Sequence, residues 1–79
     1  MKLTIISPEK IVFEGTTKKV KVPGSECPFE ILEGHAPIIS SLRSGEIAYV
    51  EAGEDKSIRI KCGFVEVSYN EVVICVELT

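Results

Sequence analysis

Apolar and polar residues alternate with a period of two along most of this chain. In Lys2-Leu3-Thr4-Ile5-Ile6-Ser7 the pattern runs until Pro8, and the short apolar run Ile11-Val12-Phe13 closes at Gly15. Lys19-Val20-Lys21-Val22 alternates and then meets Pro23-Gly24-Ser25, a strong turn signal. Phe29-Glu30-Ile31-Leu32 precedes Gly34, and Ile38 to Leu42 leads to a turn at Ser44-Gly45. Glu46 to Glu51 places Ile47 and Tyr49 on one face and Ala48 and Val50 on the other. Ala52-Gly53-Glu54-Asp55 reads as a hairpin loop. Ser57 to Cys62 alternates cleanly, so Ile58, Ile60 and Cys62 are expected to face the core. Gly63 is expected to break that strand, with Phe64 to Ser68 forming another. Tyr69-Asn70-Glu71 predicts a tight turn before a last strand from Val72 to Leu78. Val72 to Val76 is apolar on both faces, so that strand is expected to be central or covered by a partner.

These segments predict an all-β fold: an antiparallel β-sandwich of two sheets with about eight to ten short strands. One domain, 1–79, accounts for the whole sequence. A chain of this size buries only roughly 60–65% of its unfolded surface, so its core is small and a partner surface would add stability. The net charge of −3 speaks against nucleic acid as a partner, because phosphate binding calls for clustered Lys and Arg. Lys18-Lys19-Val20-Lys21 reads as the solvated face of a strand. No apolar run approaches the ~20 residues that span a bilayer, so no direct membrane insertion is expected. The three cysteines, Cys27, Cys62 and Cys75, match no zinc spacing. With an odd count and no leader segment, they are expected to be reduced cytoplasmic thiols, buried or half-buried as small apolar residues.

Candidate chemistry concentrates in Glu33-Gly34-His35-Ala36-Pro37-Ile38-Ile39, which holds the only histidine. His35 as a general base needs a nucleophile and an orienting group within hydrogen-bond reach. Ser40 should lie some 10 Å or more along the strand, and Ser41 and Cys62 qualify only if folding brings them close. Glu26, Glu30 and Glu33 form no opposed pair and read as a solvated edge. The Pro23-Gly24-Ser25 turn lacks the glycine pattern and following helix that cradle phosphate. No catalytic residue, cofactor site or metal site is therefore assigned. Gly34 is expected to supply a positive φ or a close backbone approach, and Pro37 to mark a strand start or edge. His35 then stands at a rigid corner suited to partner contact.

The motifs carry a resemblance. Leu3-Thr4-Ile5-Ile6-Ser7-Pro8-Glu9, Phe13-Glu14-Gly15 and Val20-Lys21-Val22-Pro23-Gly24-Ser25-Glu26 open the chain. Gly34-His35-Ala36-Pro37-Ile38-Ile39, Leu42-Arg43-Ser44-Gly45, Gly63-Phe64-Val65-Glu66-Val67 and Asn70-Glu71-Val72-Val73-Ile74 follow in order. Together they resemble the N-terminal β-sandwich domain of the epsilon subunit of F-type ATP synthases, called delta in mitochondria. The resemblance implies a non-catalytic rotor subunit in the central stalk, between the gamma shaft and the ring of c subunits. It implies membership of the whole alpha/beta/gamma complex and coupling of proton flow to ATP synthesis. It also implies a peripheral position on the cytoplasmic side of a bacterial plasma membrane. Ser7, His35 and Ser40 would fall on the face that meets gamma. Glu26, Cys27, Pro28 and Phe29 would meet the polar loops of the c subunits.

The chain also departs from the family. Its sequence stops at Thr79, where members usually continue into a two-helix domain, so inhibition by an extending helical hairpin and ATP binding are not carried over. Cys27-Pro28 stands where the family often has a glycine and an acidic residue, Glu30 where it often has a glycine, and Cys62 where a glycine commonly precedes Gly63. Two other readings compete: a free-standing β-sandwich interaction or ligand-binding module, and a small hydrolase dependent on His35.

Overall fold

A computed structural model describes residues 1–79. Eight strands form, in order β1 (Lys2–Ile6), β2 (Ile11–Thr16), β3 (Lys19–Val22), β4 (Phe29–Leu32), β5 (Ile38–Leu42), β6 (Gly45–Glu51), β7 (Glu54–Ser68) and β8 (Glu71–Leu78). No helix is present. The alternation that predicted β3, β4 and β5 sets their bounds as read. β2 runs through Gly15 to Thr16. The loop after β6 is tighter than expected: Ala52 and Gly53 alone make the turn, at φ 51° and 80°, and Glu54 and Asp55 already pair with β6. Two successive positive φ values suit the right-handed twist of a hairpin.

Gly63 does not break a strand, and β7 is a single element of 15 residues. Gly63 sits opposite Val76 on β8. A Cβ there would overlap the Cys75 carbonyl oxygen and stand 3.1 Å from the Val76 Cα. The glycine permits close backbone approach instead of ending the pairing. Between Ile60 and Cys62 the register with β8 shifts by a residue. Such a bulge reverses which residues face inward. Ile58 and Ile60 point to the core before it, and Val65 and Val67 after it. Cys62, expected in the core, is consequently exposed. Cys27 is exposed as well, and only Cys75 is half-buried.

The hydrogen-bonded order is β2-β1-β8-β7-β6-β3-β4, with β5 also on β7. The first half of β7 pairs with β6, and the second half with β5 and β8. One continuous sheet thus folds over itself, with β7 shared between two layers. Strands that pass from one layer to the other do so at bends and bulges. The first layer holds β2, β1, β8, the second half of β7, and β5. The second holds the first half of β7, β6, β3 and β4. Their inward residues form one core of 16 buried hydrophobics, including Leu3, Ile5, Val65 and Ile74 from the first layer and Val20, Ile31, Ile47 and Ile60 from the second. Phe13 on β2 and Tyr49 on β6 meet across the layers, ring centroids 4.6 Å apart. β8 is central, between β1 and β7, as its two-faced apolar sequence predicts. Its pairing with β1 is parallel, whereas every other ladder is antiparallel. Parallel neighbours need a long crossover. β1 and β8 are the first and last strands, and the rest of the chain is that crossover.

Candidate functional site

Partners in a ladder point to the same side of the sheet, so the pairing defines what each layer presents outward. On the first layer one outward row runs Ser41, Phe64, Cys75, Ile6, Ile11 across β5, β7, β8, β1 and β2. The next row runs Ile39, Glu66, Val73, Thr4, Glu14. Ile39 is 73% exposed, Ile11 60% and Phe64 48%. Ile6, Val73 and Cys75 are half-buried among them. Isolated apolar side chains on a surface need no explanation, but a contiguous apolar stripe marks an interaction site. Glu66 stands between Ile39 and Val73 in the second row, and Glu14 and the Lys61–Glu77 ion pair, at 3.9 Å, lie at the margin. An apolar centre with a charged margin is the usual anatomy of a protein interface.

The second layer presents a different surface. Lys19, Lys21, Glu30, Ala48 and Asp55 lie outward on β3, β4, β6 and β7. Lys18, Lys19 and Lys21 are exposed while Val20 is buried, the solvated strand face that the sequence predicts. Leu32 is the large apolar residue exposed on this layer, at 49%, beside Lys19.

His35 follows a turn in which its amide donates to the Leu32 carbonyl at 3.0 Å. Gly34 holds φ 83°, as expected, which is what the third position of a type II turn requires. β5 begins directly after Pro37 and pairs on that stretch with β7. The His35 ring is half-buried, and its Nδ1 lies 2.6 Å from the Ala36 carbonyl oxygen. It meets a neighbouring backbone group, not a hydroxyl or thiol. Glu33 beside it approaches the Met1 ammonium at 3.5 Å, and that ammonium also donates to the Thr17 carbonyl at 3.1 Å. His35 therefore stands at the end of the first layer where β1 begins.

Ser7 stands at the opposite end, after β1, where its hydroxyl exchanges hydrogen bonds with the Lys10 backbone at 3.2 and 3.3 Å. The length of β1 separates the two ends by about 17 Å at ~3.3 Å per residue. Ser40 pairs with Val65, so its side chain lies on the inward side of the edge strand β5, donating to the Ser41 carbonyl at 3.1 Å. Ser7, His35 and Ser40 thus surround the first layer without forming a cluster. The four residues of the predicted second contact do stay together: Glu26, Cys27 and Pro28 are exposed and consecutive, and Phe29 begins β4 half-buried. The outward stripe of Ile6, Ile11, Ile39, Phe64, Val73 and Cys75 escaped the sequence reading. Its one visible signal was the second apolar face of Val72 to Val76.

No group of three or more His, Cys, Asp and Glu residues converges to hold a metal ion. Burial, and to a smaller extent the Glu51 carboxylate, raise the Tyr49 phenol above its ordinary value of 10.0. Tyr49 faces the core, so this shift belongs to folding and not to a reactive site.

A family model for the β-sandwich domain of the ATP synthase delta/epsilon chain matches residues 1–78. An ATP synthase epsilon chain of Magnetococcus marinus is 39% identical over 75 residues, covering 95% of this chain and 55% of that relative. One from Chlorobium limicola is 38% identical over 78 residues, covering 96% of this chain and 88% of the relative. The chain thus spans little more than half of the first relative and most of the second. In the fold comparison, a chain of the Euglena gracilis mitochondrial ATP synthase structure superposes with TM-score 0.86 at 21% identity, over 94% of this chain and 48% of that one. A chain from the central stalk and c-ring structure of the Tetrahymena thermophila enzyme gives 0.79 at 18%, over 96% and 62%. At those identities the superpositions speak to the fold.

Proposed function

Since the chain belongs to the ATP synthase delta/epsilon family, as its β-sandwich domain, we propose that it is a non-catalytic rotor subunit of a proton-transporting ATP synthase. It docks on the gamma subunit through the outward face of the first layer and rests on the c-subunit ring through the turn at Glu26, Cys27, Pro28 and Phe29. Its work is to carry ring rotation to gamma, within the alpha/beta/gamma complex on the cytoplasmic face of a bacterial plasma membrane.

The observation that carries this reading is the apolar stripe centred on Phe64, Cys75 and Ile6, which no part of the chain covers. Docking of such a stripe removes apolar area from water, the main source of association energy. Ser7 and His35 would contribute polar contacts at the two ends of that face, whereas the inward-turned Ser40 would support β5 from beneath it. The exposed turn offers the Glu26 carboxylate to polar loops, chemistry suited to a ring of repeated polar turns. A stiff, close-packed sandwich transmits displacement between the two surfaces without deforming.

The test is co-purification of the tagged chain with gamma from cells that make both. Recovery of a complex that survives in salt and is lost on Phe64→Asp supports the reading. A chain that stays monomeric and ignores gamma overturns it and leaves a free-standing interaction module.

A further inference from the structure

The segment leaving β3 fastens one layer to the other. Pro23, Gly24 and Ser25 cross from the second layer to the edge of β5 that β7 leaves open. Gly24 pairs antiparallel with Leu42, which pairs with Gly63 on its other side. The Arg43 amide donates to the Pro23 carbonyl at 2.9 Å, and the Ser25 amide to the Ser41 carbonyl at 3.0 Å. The Ser41 hydroxyl then donates to the Ser25 hydroxyl at 2.8 Å. From there the chain makes the exposed turn at Glu26-Cys27-Pro28 and returns to β4. Phe29 covers Gly24 so closely that a Cβ on Gly24 would stand 2.8 Å from the ring and 2.5 Å from the Cys27 carbonyl oxygen. The same strand β5 carries Ile39, two residues before Ser41, on the outward apolar stripe.

We propose that this fastening is the mechanical link between the two docking surfaces. Gly24 and the Ser25–Ser41 pair are positioning residues: they hold the turn at 26–28 in one place relative to the apolar face. A turn joined only to β3 and β4 would swing about its two ends and absorb the displacement it receives. Backbone pairing to β5 removes that freedom, because the turn then moves only if the sheet moves. The missing Cβ of Gly24 is what lets Phe29 and the Cys27 carbonyl close over the pairing. The inference rests on the docking reading above, in which the turn meets the ring.

The experiment uses the assembled ATP synthase in membrane vesicles and compares proton movement per ATP hydrolysed with affinity for gamma. Ser25→Ala, which removes the acceptor of the Ser41 hydroxyl and leaves the outward row intact, should lower proton movement per ATP, while Ser25→Thr keeps the hydroxyl and the full ratio. Gly24→Ala, which breaks the closure itself, should lower it further, with gamma affinity unchanged within about twofold. Loss of gamma affinity in step with proton movement would mean that the segment only props the fold, and would overturn the inference. Should Gly24→Ala fail to accumulate, Ser25→Ala and Ser25→Thr decide alone. Glu26→Lys together with Pro28→Asp tests the underlying reading. If that pair lowers proton movement while Gly24→Ala and Ser25→Ala do not, the fastening is wrong and the ring contact stands. If the pair changes nothing, the ring contact fails and the inference with it.

Discussion

Replacing Phe64 by Ser should weaken binding to gamma, per folded molecule, far more than replacing an equally exposed residue of the other layer. Phe64 is 48% exposed on the outward stripe. A phenylalanine presents about 150–250 Å² in total, so about 70–120 Å² remains for a partner to cover. At about 25 cal/mol per Å² this amounts to about 2–3 kcal/mol, or about 20- to 150-fold in the dissociation constant. Differences between variants of one complex follow such area differences more faithfully than totals do. Leu32 is the matched control, because it is 49% exposed but lies on the second layer beside Lys19. Leu32→Ser should change the affinity less than about twofold, since removing an uncovered side chain costs a complex nothing. The assay is titration of gamma with the full chain at fixed salt, with thermal unfolding of each variant in parallel. The half of each side chain that the fold already covers contributes to stability by the same measure, so both variants should lose a comparable amount, about 1–3 kcal/mol, and affinity is compared per folded molecule. Equal losses of affinity for Phe64→Ser and Leu32→Ser would refute the assignment of the docking face. So would a loss below about twofold for Phe64→Ser in a folded chain.

Gly63→Ala should destabilise the domain by about 2–4 kcal/mol, because the new methyl overlaps the β8 backbone and the crossing of β7 between layers cannot yield without breaking ladder hydrogen bonds. Denaturant unfolding reads this directly, and a loss under about 0.5 kcal/mol would show that the approach is not tight. His35→Ala should weaken gamma association while lowering stability by less than about 1 kcal/mol, since the half-buried ring makes one neighbouring backbone contact; collapse of the fold with binding per folded molecule unchanged would make it a core prop. Tyr49 gives a pH dependence. Its raised folded-state value means that its contribution is fully present below the unfolded pKa near 10.0 and is lost as pH rises through the folded value. Stability should therefore fall above about pH 10, and Tyr49→Phe should reduce that fall when unfolding is followed across the alkaline range.

Much of this fold is legible because period-two alternation is local. Val20 and Val22 inward with Lys19 and Lys21 outward follow from the pleat alone, whatever the strand pairs with. Gly34 at φ 83° and the strand start after Pro37 follow from the sterics of single residues. The family motifs were equally readable, since they are short runs in fixed order. Site residues were harder. Glu26 to Phe29 stay together because they are neighbours in sequence. Ser7 and His35 were assigned to one face, and the fold sets them at its two ends. That separation depends on the direction of β1 relative to β5, which no local pattern encodes.

By itself the sequence determined the all-β class, most strand positions, the exposed lysine face and the family. Each of these rests on the preferences of single residues or on contacts between near neighbours. Tertiary structure alone decided that β1 and β8 run parallel, that β7 continues through Gly63, and that the bulge after Ile60 turns Cys62 outward. It alone gathered Ile6, Ile11, Ile39, Phe64, Val73 and Cys75 from five strands into one stripe. The physical reason is common to all of them. Register and strand order are chosen by the free energy of closing a whole core, in which residues distant along the chain bury one another's surface. A glycine that reads as a strand breaker becomes the point of closest backbone approach, because the facing strand lies at the far end of the sequence.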